Sequence, residues 1–174
     1  DRERVAQIMR ILLDNALRNV GVSYEANEAA IESLVAAQQR MTSFSDGEQR
    51  QAMVNLVNVT QDYQTSLQAL PVALDLAAAT GMALESASVM VGRALIGNTE
   101  ALGRHGIELQ KNLTPQETLN VLMERFGGAA EANVDPMVQL KNSLADVAES
   151  IGMALLPAVQ AIVPVIRDIA DRIG

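Results

Sequence analysis

The chain has 174 residues, a formal net charge of −8 and a pI near 4.6, a balance opposed to the basic surface that nucleic-acid binding needs. It contains no cysteine, which excludes disulfides and thiolate sites. Apolar residues make up 49% and aromatic residues only 2%, so the core must be built from Leu, Val, Ile, Met and Ala, and the chain is expected to be all α.

Val5, Ile8, Met9, Leu12, Leu13, Ala16, Leu17 and Val20 recur at spacings of three and four, one apolar stripe on a first helix. Gly21 stands where a helix C-cap belongs. A second helix is predicted over 26–41, with Ile31, Leu34, Val35 and Gln38 along one side, and the turn "GVSY" would join the two as an antiparallel hairpin. "FSDGE" marks the next break. Ser45 and Glu48 have capping-box spacing, in which each side chain caps the other's backbone N–H. Met53, Leu56 and Val57 continue that helix.

Thr60 is the expected cap of a fourth helix carrying Leu67, Leu70, Leu74 and Ala78. Pro71 inside that pattern should kink it or mark a start, and Gly81 should end it. A short helix over 84–96 closes at Gly97, and Asn98 can cap a further turn or two ending at Gly106. "IELQKNL" reads as extended connector. "LTPQE" is the strongest start signal, with Thr114 at the cap, Pro115 at the first helical position and Glu117 at the third. That helix should end at "FGG". Asp135-Pro136 starts another by the same logic, with Met137, Leu140, Leu144, Val147 and Ile151 as its stripe and a bend at Pro157.

The pattern therefore predicts an all-α, multi-helix bundle of about eight short helices with glycine and proline breaks. The expected divisions are a helical hairpin over 1–42, a helical core over 43–132 and a kinked apolar helix over 133–174. The chain opens on Asp1 with no signal-peptide pattern, and it reads as a piece of something longer. The run "SIGMALLPAVQAIVPVI", 150–166, is shorter than the roughly 20 residues of a spanning helix and is broken by Pro157 and Pro164. It reads as a buried or partner-facing helix, with membrane insertion as the alternative.

The residues offer little chemistry. His105 is the only histidine, too few for a usual zinc site, and beside Gly106 it reads as a capping or surface residue. Glu25, Glu28 and Glu32 share one helical face, but that face reads as solvated and lacks the pocket that acid–base work needs. Asp46 and Glu48 are better explained by helix capping than by calcium binding. Gly127-Gly128 and "TGMALESAS" lack the lysine and hydroxyl residue of a phosphate loop and follow no strand. The serines share one histidine, so a serine hydrolase is not expected. The eight methionines read as core filler, with a methionine-lined partner groove as the alternative. No catalytic, cofactor-binding or metal-ligating residue is assigned.

The stretches "DLAAATGM", "VGRALIGNTEALGRHGI" and "LKNSLADVAESIGMALLPA" occur as an ordered series, with "TPQETLNVLMERFGGAAEA" between the second and third. This series resembles the conserved helical region of tail tape measure proteins from long-tailed bacteriophages and prophages, and the likeness covers most of the chain beyond Thr42. The resemblance implies a structural, non-enzymatic segment of a long helical chain packed in the tail tube. Such chains set tail length during assembly and are expelled ahead of the DNA. It implies tail tube and tail tip or baseplate proteins as partners, self-association, and location in the virion tail lumen after assembly in the host cytoplasm. No sequence-specific nucleic-acid contact is implied. The alternative is a membrane-active segment of a DNA conduit, with host membrane contact. On the tail reading Gly81, Gly97, Gly106 and Gly127 would act as hinges.

Overall fold

A computed structural model describes residues 2–134 and the single positions 138 and 142. Over these residues the protein is all α. Helices α1 (Arg2–Asn19), α2 (Tyr24–Met41), α3 (Asp46–Thr60), α4 (Tyr63–Thr80), α5 (Leu84–Leu95), α6 (Glu100–Arg104) and α7 (Pro115–Phe126) are joined by short connections and followed by one four-residue turn, α8 (Ala129–Ala132). These seven helices fall where the periodicity predicts them. The helix expected after Asp135-Pro136, its stripe and the bend at Pro157 lie outside the described residues.

Local chemistry starts and stops the elements. At α3 the Ser45 side chain accepts from the Glu48 backbone N–H at 3.2 Å, and the Ser45 N–H donates to Glu48 Oε2 at 2.8 Å, a complete capping box. Thr114 and Glu117 repeat it at α7, with Pro115 in the first turn. At the end of α5, Gly97 takes φ +96°, which an L side chain resists. That turn lets Gly97 N–H donate to Ala94 O and Asn98 N–H to Arg93 O, satisfying two terminal carbonyls. Gly106 closes α6 in the same way, and Ile107 just beyond it folds back to donate to the Leu102 carbonyl. Both side chains are buried, the apolar contact that accompanies this turn.

The details at four places bear on these expectations. The cap of α4 is Asp62, whose carboxylate accepts from Thr65 N–H at 2.8 Å. Thr60 instead closes α3 and accepts from Asp62 N–H. Pro71 lies inside α4, which starts at Tyr63 and runs on through it, so it does not mark a start. Helix α7 ends at "FGG" as expected, with Gly127 as its C-cap and Gly128 in left-handed backbone, φ +84°. Finally, α1 buries Ala6, Leu13, Ala16 and Leu17 but leaves Val5, Ile8 and Leu12 exposed, so three of the eight residues of the expected stripe face outward.

The core is one cluster running from Leu13 to Ala130. Helix α3 is its centre. It packs on α1, α2, α4 and α5, and its Met53, Leu56 and Val57 are fully buried. Helix α4 packs on α3 and α5 on one side and on α7 and α8 on the other. Among the methionines, Met53 is in the core, Met82 and Met90 pack against it, and Met41 and Met123 are exposed.

The α3–α5 contact is made close by small residues: Ala87, Ser88 and Gly92 all face it or sit buried along it. A Cβ on Gly92 would lie 3.1 Å from Val59 Cβ. Gly103, in α6, has nothing within 4 Å of the same position. Gly92→Leu should therefore cost about 1–3 kcal/mol by overpacking. Gly103→Ala should be neutral or stabilising by up to about 1 kcal/mol, from helix propensity. Urea unfolding of the two variants checks this, and equal effects would contradict the close α3–α5 approach.

Candidate functional site

Ionisable groups concentrate where α2 crosses the start of α3. Tyr24 and Glu32 are eight residues apart on α2, two turns along the same face. Asp46 and Arg50 are four apart on α3, again on one face. The capping box fixes where α3 begins and so where Asp46 and Arg50 point.

Arg50 is 4% exposed and fully engaged. Its Nε and Nη2 donate to the two oxygens of Glu32 at 3.1 and 2.7 Å, and its Nη1 donates to Asp46 Oδ2 at 2.7 Å. The paired fork on Glu32 is the strong geometry for a guanidinium and a carboxylate. Tyr24 OH donates to Glu32 Oε1 at 3.0 Å, and Asp46 Oδ1 accepts from Gly47 N–H at 2.8 Å. A neutral network lies beside it. Gln38 Nε2 donates to Gln49 Oε1 at 2.8 Å, and Gln49 Nε2 donates to the carbonyls of Val35 and Phe44 at 3.2 Å each. Gln38 and Gln49 are both buried.

The electrostatics follow from this geometry. Burial opposes ionisation of Glu32, but the Arg50 hydrogen bonds and charge outweigh it and hold the carboxyl below its ordinary range. Burial would lower the Arg50 pKa, yet Glu32 and then Asp46 more than offset it and the guanidinium is held protonated more firmly than usual. Burial, and after it the Glu32 charge, push Tyr24 up to about 12. All three shifts move away from neutrality, where a general acid or base works best. The arrangement ties two helices together and poises no proton for transfer.

The other candidate residues are dispersed. Glu25 and Glu28 are exposed, whereas Glu32 turns inward to Arg50, so the expected solvated acidic face is solvated only in part. Glu48 caps α3 as expected, while Asp46 serves Arg50. His105 is an exposed C-cap of α6. Ser88 Oγ donates to the Glu85 carbonyl and accepts from Asn55, bridging α5 to α3. Ser66 Oγ lies on Thr60 and donates to the Asp62 carbonyl. Among the described residues no group of three His, Asp or Glu is placed to hold a metal ion. A surface cavity of about 640 Å³ between α1 and the start of α2 carries both signs of charge, Arg10 and Arg18 with Asp14 and Glu25. Asp14 is itself paired to Arg18 at 2.9 Å.

Sequence reasoning missed Arg50 as the focus of this cluster. The Asp46–Arg50 spacing is visible on one helix. Glu32 lies 18 residues away, and only the docking of α2 brings it in.

Arg50→Met should cost about 3–5 kcal/mol at pH 7, because Glu32 and Asp46 keep their charge and lose its partner. The pH dependence has a definite sign. Glu32 is depressed when folded, so its stabilisation is present above its unfolded value of 4.5 and is lost as pH falls through the lower folded value. The deficit of the variant should therefore shrink as pH is lowered below about 4.3. Thermal unfolding from pH 7 to pH 3 measures it, and a pH-independent deficit would show that the cluster contributes packing alone.

The chain matches no protein-family model, no curated protein and no solved structure.

Proposed function

We propose that this chain is a segment of a tail tape measure protein of a long-tailed bacteriophage or prophage, a structural component that sets tail length during assembly and assists genome ejection. The observation that carries this reading is the ordered motif series. "DLAAATGM" ends α4, and "VGRALIGNTEALGRHGI" forms the second half of α5, its glycine turn and α6. These stretches supply core positions, among them Leu76, Ala77, Val91, Leu95 and Leu102. "TPQETLNVLMERFGGAAEA" is α7 and α8.

The physical character of the bundle supports the reading. The aromatic residues Tyr24 and Tyr63 are buried in a core otherwise made of aliphatic side chains, Met53 and alanine. Gly81, Gly97 and Gly106 hold left-handed backbone at the ends of α4, α5 and α6. A chain that must pack in a tube and leave through it gains from slender helices separated by such turns. On this reading the segment is non-enzymatic. It works in the tail lumen against tail tube and tail tip or baseplate proteins, associates with copies of itself, and reaches the lumen from the host cytoplasm where tails assemble. The membrane-conduit alternative depends on 151–166, outside the described residues. Among the described residues no helix is long and apolar enough to cross a membrane.

An in-frame deletion of 44–132 in the parent gene tests the reading, with tail length measured by electron microscopy. Tails should shorten in proportion, by about 1.5 Å for every helical residue removed. Tails of unchanged length would contradict a ruler role for this segment.

A further inference from the structure

Asp75 is the only charged residue of α4, set within a helix otherwise made of apolar and neutral side chains. A short carboxylate is a poor residue for a helix interior, because it competes for backbone hydrogen bonds. Its neighbours Leu74, Leu76 and Ala77 are buried, and Asp75 itself is partly buried. Among the described residues its carboxylate makes one hydrogen bond, accepting from Ala130 N–H of α8 at 2.9 Å, and no ion pair.

The element so held cannot hold itself. Helix α8 has four residues, far below the length at which a helix is stable alone. Its N-cap, Gly128, has no side chain to offer, and Ala130 is its one buried residue. A single methyl group removes little apolar area from water. The junction with α7 demands glycine twice. A Cβ on Gly127 would clash with the Met123 carbonyl oxygen, and Gly128 has φ +84°. Helix α7 is anchored differently. It has its own capping box, buries Leu119 and Leu122 against the core, and ties Arg125 Nη1 to the Glu108 carbonyl at 3.3 Å.

We propose that α8 is a latch. Asp75 clamps it to α4, and loss of that one contact releases 127–134 as a unit while α7 and the α3–α5 core stay folded. Closed, the latch fixes where the chain leaves the bundle at Val134. Open, Gly127 and Gly128 become free joints, and the released stretch reaches about 26–29 Å when fully extended. A pull on the chain would then lengthen it without unfolding the core. Asp75 is a positioning residue in this device. The inference stands on α4, α7 and α8 and does not depend on the tail reading.

Native-state hydrogen exchange on the full chain tests the latch. Ala132 and Asn133 donate to the carbonyls of Gly128 and Ala129, so their amides report whether α8 is formed. In Asp75→Ala these two amides should exchange roughly ten- to a hundredfold faster, the range for a hydrogen bond to a charged acceptor. Leu122 and Val57 should keep their rates. Asp75→Asn, which keeps an acceptor oxygen without the charge, should fall between. Unchanged rates at Ala132 and Asn133 in Asp75→Ala would overturn the proposal. Equal acceleration at Leu122 would overturn it too, because α7 and α8 would then open together. The unsubstituted chain gives a readout free of any variant. Exchange at Ala132 and Asn133 should depend less on urea than exchange at Leu122, and equal dependence would overturn the latch.

Discussion

A guanidinium can be taken out of water only where carboxylates reach it, and that constraint fixes how this bundle is assembled. Arg50 sits at 4% exposure on α3 with Asp46 one turn before it. The second carboxylate, Glu32, has to come from α2. The register of α2 against α3 engages both oxygens of Glu32 with Arg50 and one of them with the Tyr24 hydroxyl. Gln49, the neighbour of Arg50, reinforces the same register by spanning from Gln38 on α2 to the Phe44 carbonyl in the turn. The polar end of α3 thus decides orientation, while its apolar continuation through Met53, Leu56 and Val57 supplies most of the burial.

Beyond the polar cluster, the rest of the bundle is held by apolar packing and local turns. Helix α5 approaches α3 over alanine, serine and glycine, with one side-chain bridge from Asn55 to Ser88. Small residues bring backbones close but bury little area each, so this contact depends on shape more than on large side chains. Helices α6, α7 and α8 are short, and a helix of a few turns draws its stability from packing, not from its own propensity. The turns at Gly97, Gly106 and Gly128 that flank them are in left-handed backbone. Even so, each of these short helices buries an anchor in the common core: Leu102 on α6, Leu119 and Leu122 on α7, and Ala130 on α8.

The local grammar of the sequence was legible because its causes are local. The Ser45–Glu48 and Thr114–Glu117 boxes, Pro115 and the glycine at the end of α5 each act within a few residues, and the structure has them where the spacing puts them. Features that depend on distant chain were not legible. The first turn of α8 is held by Asp75, which accepts from Ala130 N–H at 2.9 Å across 55 positions, a partner with no nearby signature. Glu32 looked like part of a solvated face because nothing near it in sequence announces Arg50. The α1 stripe was too wide for one partner. Periodicity shows that Val5, Ile8, Leu12, Leu13 and Leu17 share a side of the helix, but not that the side is split between a core and an open ridge. Asp62 displaced Thr60 as a cap because the two are two residues apart and both carry suitable oxygens. The deciding factor was Gln61 turning left-handed, φ 56°, which ends α3 after Thr60.

The account's central claim is that α3, locked to α2 and packed on α5, is the axis on which the other helices depend. Native-state hydrogen exchange on the full chain in low urea tests it most directly. The claim predicts that the amides of Met53 to Val57 and Val91 exchange only through global unfolding, with the full urea dependence, while those of α6 and α8 exchange through smaller openings of weaker urea dependence. Exchange of α3 through a partial opening that leaves α6 and α8 protected would contradict it.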